Sequence, residues 1–150
     1  MKKTTILTNT VEETQNLGEA VGSKLRGGEV LEFISDLGGG KTTFVRGLAK
    51  GFGSTDPVAS PSFTISYVYN GIGKKQLHHF DFYRLSDAGI VANELSEVEG
   101  DPDIVVAVEW GEIVHDFLPK QRIVVHITAQ SEEQRSIQFT YPEEFAYLFV

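Results

Sequence analysis

Two spacings of apolar residues alternate along the chain, a period near two and a period near 3.6, and the changes between them mark out strands and helices. Thr4 to Leu7 reads as a short strand. Thr10-Val11-Glu12-Glu13 then has the T-x-x-E form of a capping box, and Leu17, Ala20, Val21 and Leu25 give the following helix an apolar face until Gly27-Gly28 ends it. Val30, Leu31, Phe33 and Ile34 form a strand that stops at a glycine-rich octet. Phe44, Val45, Leu48, Ala49 and Phe52 recur at helical spacing after it, and Gly51 and Gly53 stop that helix. Ser54 to Pro61 is a polar turn region.

Phe63 to Tyr69 and Gln76 to Tyr83 flank the turn residues Asn70-Gly71-Ile72-Gly73 and predict an antiparallel hairpin. Ser86 to Gly100 carries Ile90, Val91, Leu95 and Val98 among acidic residues, as a short helix over a loop. Ile104 to Val108 is an uninterrupted apolar run, the mark of a strand buried on both faces of a parallel sheet. Ile113 to Leu118 reads as a helical turn or two ended by Pro119. Arg122 to Thr128 and Ser136 to Tyr141 are strands around the polar turn Gln130 to Gln134, and Pro142 opens a closing helix. The order implies a three-layer α/β fold around a mixed, mainly parallel sheet with an antiparallel hairpin, which the glycine-rich octet between the second strand and its helix makes P-loop NTPase-like.

The octet Ser35 to Thr42 is SDLGGGKT, which follows the phosphate-binding pattern G-x-x-x-x-G-K-[ST] except that Ser35 stands at the first glycine. Gly38, Gly39 and Gly40 have no side chain to block an approaching phosphate, so successive amides and a helix N-terminus can converge on one anion. Lys41 supplies a mobile positive charge for the β- and γ-phosphates, and the Thr42 hydroxyl is placed as a magnesium ligand. Ser35 adds a Cβ at a tight turn. If that position needs positive φ, about 1 kcal/mol of strain would weaken binding without abolishing it.

Two distant carboxylates complete the chemistry. Glu109 follows the buried run at its carboxyl end, where ligands of open α/β sheets sit, and is placed to hold magnesium. Trp110, next to it, either covers a nucleotide or packs. Within His78-His79-Phe80-Asp81-Phe82-Tyr83-Arg84, alternation gives one apolar face and one ionisable face, which fits either a solvated edge strand or a strand whose Asp81 positions water. A two-histidine metal site is disfavoured because adjacent residues on a strand point to opposite faces. Thr10 and Glu13 are read as helix capping, and Arg135, in the turn before the last strand, as a surface residue rather than a phosphate or adenine contact.

Composition narrows the picture further. The 150 residues are 41% hydrophobic, enough for a single domain spanning 1–150. The net charge of −8 and pI near 4.9 argue against binding nucleic acid unaided through a broad basic face. The absence of cysteine excludes disulfides and thiolate metal sites. Met1 to Thr10 has no signal-peptide core and no apolar run approaches a membrane span, so a soluble, cytoplasmic protein is expected.

With these pieces located, the sequence resembles the TsaE (YjeE) family, the bacterial P-loop ATPases needed for threonylcarbamoyladenosine modification of tRNA. The resemblance is carried by DLGGGKTTFVRGL (Asp36 to Leu48), SPSFT (Ser60 to Thr64), HFDFYRL (His79 to Leu85) and VEWGE (Val108 to Glu112), and runs nearly end to end. It implies magnesium-dependent ATP hydrolysis, low by itself. It also implies coupling to a threonylcarbamoyl-transferase complex of TsaD- and TsaB-type proteins that modifies adenosine 37 of tRNAs reading codons that begin with A. Transfer RNA is then met only through the complex, and neither DNA nor membrane is a partner. By position, Lys41 and Thr42 match the P-loop lysine and magnesium ligand, Thr43 an adjoining phosphate contact, and Glu109 a magnesium-associated glutamate. Asp81 matches an aspartate of H-x-D-x-Y-R thought to act in hydrolysis, and Trp110 a tryptophan beside the nucleotide. Ser60 to Thr64 matches a loop like the switch of GTPases. Ser35 and Ser62 depart from the common glycine and threonine.

Two other readings use the same loop. A small-molecule kinase would need arginines to close over two phosphates, with only Arg26, Arg46, Arg84, Arg122 and Arg135 to draw on. A non-catalytic module would bind nucleotide only to dock a partner. A GTPase is weaker, because no N-K-x-D base-reading motif occurs.

Overall fold

The computed structural model describes residues 1–35, 39–57, 66–82, 89–109 and 115–150, with residues 90 and 91 described by their backbone alone. In chain order the elements are β1 (Lys2–Thr8), α1 (Val11–Lys24), β2 (Val30–Ile34), α2 (Lys41–Gly51), β3 (Ser66–Asn70), β4 (Gln76–Asp81), α3 (Gly89–Val98), β5 (Ile104–Glu109), β6 (Ile123–Ala129), β7 (Arg135–Tyr141) and a closing 3-10 helix, Glu143–Phe149. The closing helix expected after Pro142 is of the 3-10 type. The predicted switch-like loop Ser60 to Thr64 lies outside the described residues, as do Gly38, Tyr83 to Leu85 of the aromatic motif, and Trp110.

The strands form one sheet in the order β1-β7-β6-β2-β5-β4-β3. Its middle, from β6 through β2 and β5 to β4, is parallel. The hairpin of β3 and β4 is antiparallel as expected, and β7 and β1 extend the opposite side with antiparallel pairs. Because β4 lies between β5 and β3, the reading of residues 76–83 as a solvated edge strand is wrong for the described part: Leu77, His79 and Phe80 are all buried.

Strands β2 and β5 lie at the centre, and their alternate residues feed two cores. Leu31, Phe33, Val105 and Ala107 face α1 and α2, while Val30, Val106 and Val108 join Leu95 of α3 on the other face. The uninterrupted apolar run of β5 is thus explained by burial on both sides. This is the three-layer arrangement that the alternation of elements implies.

Helix α1 begins with the first half of its capping box, Glu13 N–H donating to Thr10 Oγ1 at 3.1 Å, while the Glu13 carboxylate accepts from Asn9 N–H, one residue before the cap, at 3.3 Å. It then lies against α2 at backbone contact. A Cβ on Gly22 would stand 2.1 Å from the Leu48 carbonyl oxygen, and one on Gly47 would stand 2.0 Å from that of Gln15. Glycine at these helix positions gives up helix propensity, and the close approach offsets that cost by fixing the height of α2 over the sheet. The N-terminus of α2 is thereby held near the carboxyl end of β5, where Lys41 meets Glu109.

Candidate nucleotide site

The site is built around the start of α2. Gly40 caps the helix with φ of 104° and no side-chain hydrogen bond. Only glycine adopts that backbone readily, and no side chain competes for the N–H groups of the first turn. The first turn also contains no acidic residue. Gly39, Gly40, Lys41, Thr42 and Thr43 line a concavity of about 200 Å³. Backbone donors, a helix N-terminus and a cation therefore converge on it, which is the chemistry of an anion site.

Lys41 is buried, and its Nζ lies 3.2 Å from Glu109 Oε1. Glu109 is the last residue of β5, as its position after the apolar run predicts, and is itself 4% exposed. Its other oxygen, Oε2, accepts from His79 Nε2 at 2.5 Å. Burial alone would push this carboxyl up. The hydrogen bond and attraction from His79, followed by those from Lys41, outweigh burial and hold it below its ordinary value. Glu109 is therefore ionised, and since an ionised carboxylate only accepts, His79 Nε2 carries the proton.

Asp81 is the register partner of Glu109 on β4, and His79 is that of Ala107. Residues paired in this way share a face of the sheet, so His79, Asp81 and Glu109 line up on the side that α2 covers. His78 turns to the opposite face and meets Gln76 Oε1 at 3.1 Å, so the two histidines do not converge. The sheet pairing runs on past Asp81, with Phe82 N–H donating to the Glu109 carbonyl at 3.1 Å.

Arg135 departs from the surface role expected of it. Its Nε donates to the Gly39 carbonyl at 2.8 Å, while Nη1 donates to the carbonyls of Ser131, Glu132 and Gln134. The turn between β6 and β7 thus grips its own arginine and aims it at the glycine-rich octet. Beside this contact, Val11, Thr14, Gly40, Thr43, Glu133 and Arg135 line a second, smaller recess. Neither Arg135 nor His79 was singled out from sequence for these contacts. For His79 the signal was present, since it stands two residues before Asp81 on the same strand face.

The oxygen donors present suit a hard divalent cation. Thr42 lines the concavity and the Glu109 carboxylate meets Lys41, another residue of its lining, and a magnesium ion arriving with phosphates needs only one or two protein ligands. Among the described residues no group of three or more acidic or histidine side chains forms a cage for a metal on its own. No helix among them is long and apolar enough to cross a membrane.

Comparisons with known proteins bear on the family and the fold. The family model described as "Threonylcarbamoyl adenosine biosynthesis protein TsaE" matches residues 8–137. The tRNA threonylcarbamoyladenosine biosynthesis protein TsaE of Bacillus subtilis is 37% identical over 131 residues, covering 86% of this chain and 80% of that protein. Its namesake from a Nostoc species is 38% identical, with 86% and 80% covered, and that of Treponema pallidum 33%, with 87% and 96% covered. The crystal structure of Bacillus subtilis YdiB superposes with a TM-score of 0.79 at 31% identity, covering 98% of this chain and 91% of that one. With the family model matching residues 8–137 and relatives above 30% identity spanning most of the sequence, the chain belongs to the TsaE family of tRNA threonylcarbamoyladenosine biosynthesis proteins.

Proposed function

We propose that the protein is a magnesium-dependent ATPase that works in the cytoplasm with TsaD- and TsaB-type threonylcarbamoyl-transferase proteins, which themselves handle the tRNA. The observation that carries this reading is the meeting of Lys41, at the start of α2, with Glu109, at the end of β5, over a concavity lined by backbone amides. A glycine-rich turn that merely capped a helix would have no use for a buried acid opposite its lysine.

In this reading the amides of Gly38 to Thr43 cradle the phosphates of ATP, and Lys41 leaves Glu109 to contact the β- and γ-phosphates. Thr42 and Glu109 hold the magnesium, which when bound neutralises charge developing on the transferred phosphoryl group. Asp81, next to Glu109 in register and half-buried, orients the attacking water. Trp110 lies beside the nucleotide. Catalysis of this kind depends on positioning and charge rather than on a covalent intermediate, so slow turnover alone and faster turnover in a complex follow naturally if the partner completes the site.

The test is ATP hydrolysis by the purified protein with and without the transferase proteins and tRNA. Stimulation by the partners, lost in Lys41→Ala, is the expected result. Unchanged hydrolysis by Lys41→Ala, or formation of a phosphorylated metabolite in place of free phosphate, would overturn it.

A further inference from the structure

His79 occupies a position where packing alone would favour an apolar ring. It is 1% exposed on an interior strand, with the Tyr69 ring centred 6.5 Å away. Its Nδ1 is buried and finds no hydrogen-bond partner among the described residues, a cost that phenylalanine would avoid. What imidazole adds at this place is the Nε2 donor, and that donor is spent on Glu109 Oε2 at 2.5 Å.

The two oxygens of Glu109 are thus held by partners of different kinds. Oε2 meets a ring with two rotatable bonds, fixed on a strand whose neighbours on both sides are paired. Oε1 meets Lys41, a long side chain that the phosphates of a nucleotide would draw away. When Lys41 leaves, the bond at Oε2 still restrains the carboxylate and keeps its freed oxygen near the place Lys41 left.

We propose that His79 is a positioning residue for the metal-binding carboxylate, pinning Glu109 through Oε2 so that Oε1 alone is exchanged between Lys41 and a divalent cation. The proposal rests on the assignment of Glu109 to magnesium and adds to it the residue that orients the ligand, the role that partners behind metal ligands commonly play. His79 touches neither nucleotide nor reacting atoms.

Glutamine and asparagine separate this role from simple packing, because the amide nitrogen of glutamine reaches about as far as Nε2 whereas that of asparagine reaches only the Nδ1 position. The experiment titrates Mg²⁺ into each protein bound to a fluorescent ATP analogue and also measures the analogue's affinity in EDTA. Thermal melting checks folding. For His79→Asn the half-saturating Mg²⁺ concentration should rise about tenfold or more, with affinity in EDTA changed by less than about twofold. For His79→Gln the Mg²⁺ requirement should stay within about threefold of the wild type. Should the His79→Asn protein fail to fold, His79→Phe keeps a ring without the donor and takes its place. In a Glu109→Gln background the same substitution should add no further shift.

Equal Mg²⁺ shifts in the two amide variants, a parallel loss of affinity in EDTA, or an added shift in the Glu109→Gln background would overturn the proposal while leaving the ATPase reading intact. A wild type whose nucleotide binding ignores Mg²⁺ would instead remove the metal from Glu109, and the role of His79 with it.

Discussion

Lys41 Nζ and Glu109 Oε1 lie 3.2 Å apart, with side chains only 9% and 5% exposed, so the lysine proposed to bind phosphate is already paired inside the protein. Removing one member of a buried pair leaves the other charge uncompensated, which typically costs about 3 kcal/mol or more. Glu109→Gln should therefore melt well below the wild type without nucleotide. Phosphates would supply Lys41 with a new partner, so ATP in EDTA should raise the melting temperature of Glu109→Gln more than that of the wild type. If Glu109 holds magnesium as proposed, hydrolysis should fall by about two orders of magnitude or more in the same variant, since that charge is gone. Differential scanning fluorimetry with a phosphate-release assay measures both effects, and an equal thermal response to ATP would contradict the exchange of partners.

Arg135 predicts a loss of affinity with little loss of fold. Its Nε donates to the Gly39 carbonyl at 2.8 Å, and three carbonyls of its own turn hold the opposite side of the guanidinium. A hydrogen bond from a charged group contributes about 1.5–3 kcal/mol. If that energy orders the glycine-rich octet for phosphate, Arg135→Ala should weaken nucleotide binding by about tenfold to a hundredfold. Lysine cannot reproduce the planar fork and should recover little. Full affinity in Arg135→Ala, measured with a fluorescent nucleotide, would reduce the contact to a structural tether.

Much of the site was legible because its parts are local in sequence. The octet, the apolar run before Glu109 and the alternation around Asp81 each announce an element and the end of the sheet on which it lies. Contacts between distant segments were not legible. The reach of Arg135 to Gly39 crosses 96 positions and depends on β7 lying beside β6, an adjacency that no local pattern encodes. Burial of His79 follows from β3 covering the outer side of β4, whereas alternation alone allowed an exposed face. Likewise Glu32 sits within the apolar strand β2 because Arg122 reaches it at 3.0 Å from 90 positions away. The glycine spacing in α1 and α2 was visible, yet it gained meaning only once the two helices were seen to face each other.

That facing gives a stability prediction. A methyl group on Gly22 would stand 2.1 Å from the Leu48 carbonyl oxygen, and backbone on both sides leaves no flexible side chain to move aside. Overpacking of this kind costs about 1–3 kcal/mol, more than the gain in helix propensity of about 1 kcal/mol from replacing glycine. Gly22→Ala should unfold at lower denaturant, and nucleotide affinity should fall as well because α2 begins at the proposed phosphate site. Gly73→Ala is the comparison, since a Cβ there meets nothing within 4 Å and its φ of 64° is its only constraint. That variant should lose stability without losing affinity.

Far from the nucleotide end, Tyr147 ties the closing 3-10 helix to the turn before β2. Its hydroxyl donates to Glu29 Oε2 at 2.6 Å, Glu29 is 1% exposed, and the Arg26 guanidinium lies 3.8 Å over the Tyr147 ring. Burial, then the hydrogen bond to Glu29 and its negative charge, push the phenol well above its ordinary value of 10.0, with Arg26 opposing. A raised value in the folded state means that the unfolded chain loses this proton first. The stabilisation is therefore complete below pH 10.0 and is lost as pH climbs from there towards the folded value. Tyr147→Phe should lower stability at pH 7 by about 1.5–3 kcal/mol, the usual contribution of a hydrogen bond to a charged group. It should also fall less steeply than the wild type between pH 10 and 11, because the group that drives part of the decline is absent and every other ionisable group is shared. Guanidinium unfolding at pH 7, 10 and 11 measures both quantities, and parallel alkaline slopes for the two proteins would show that the Tyr147 hydroxyl is not held by Glu29 in solution.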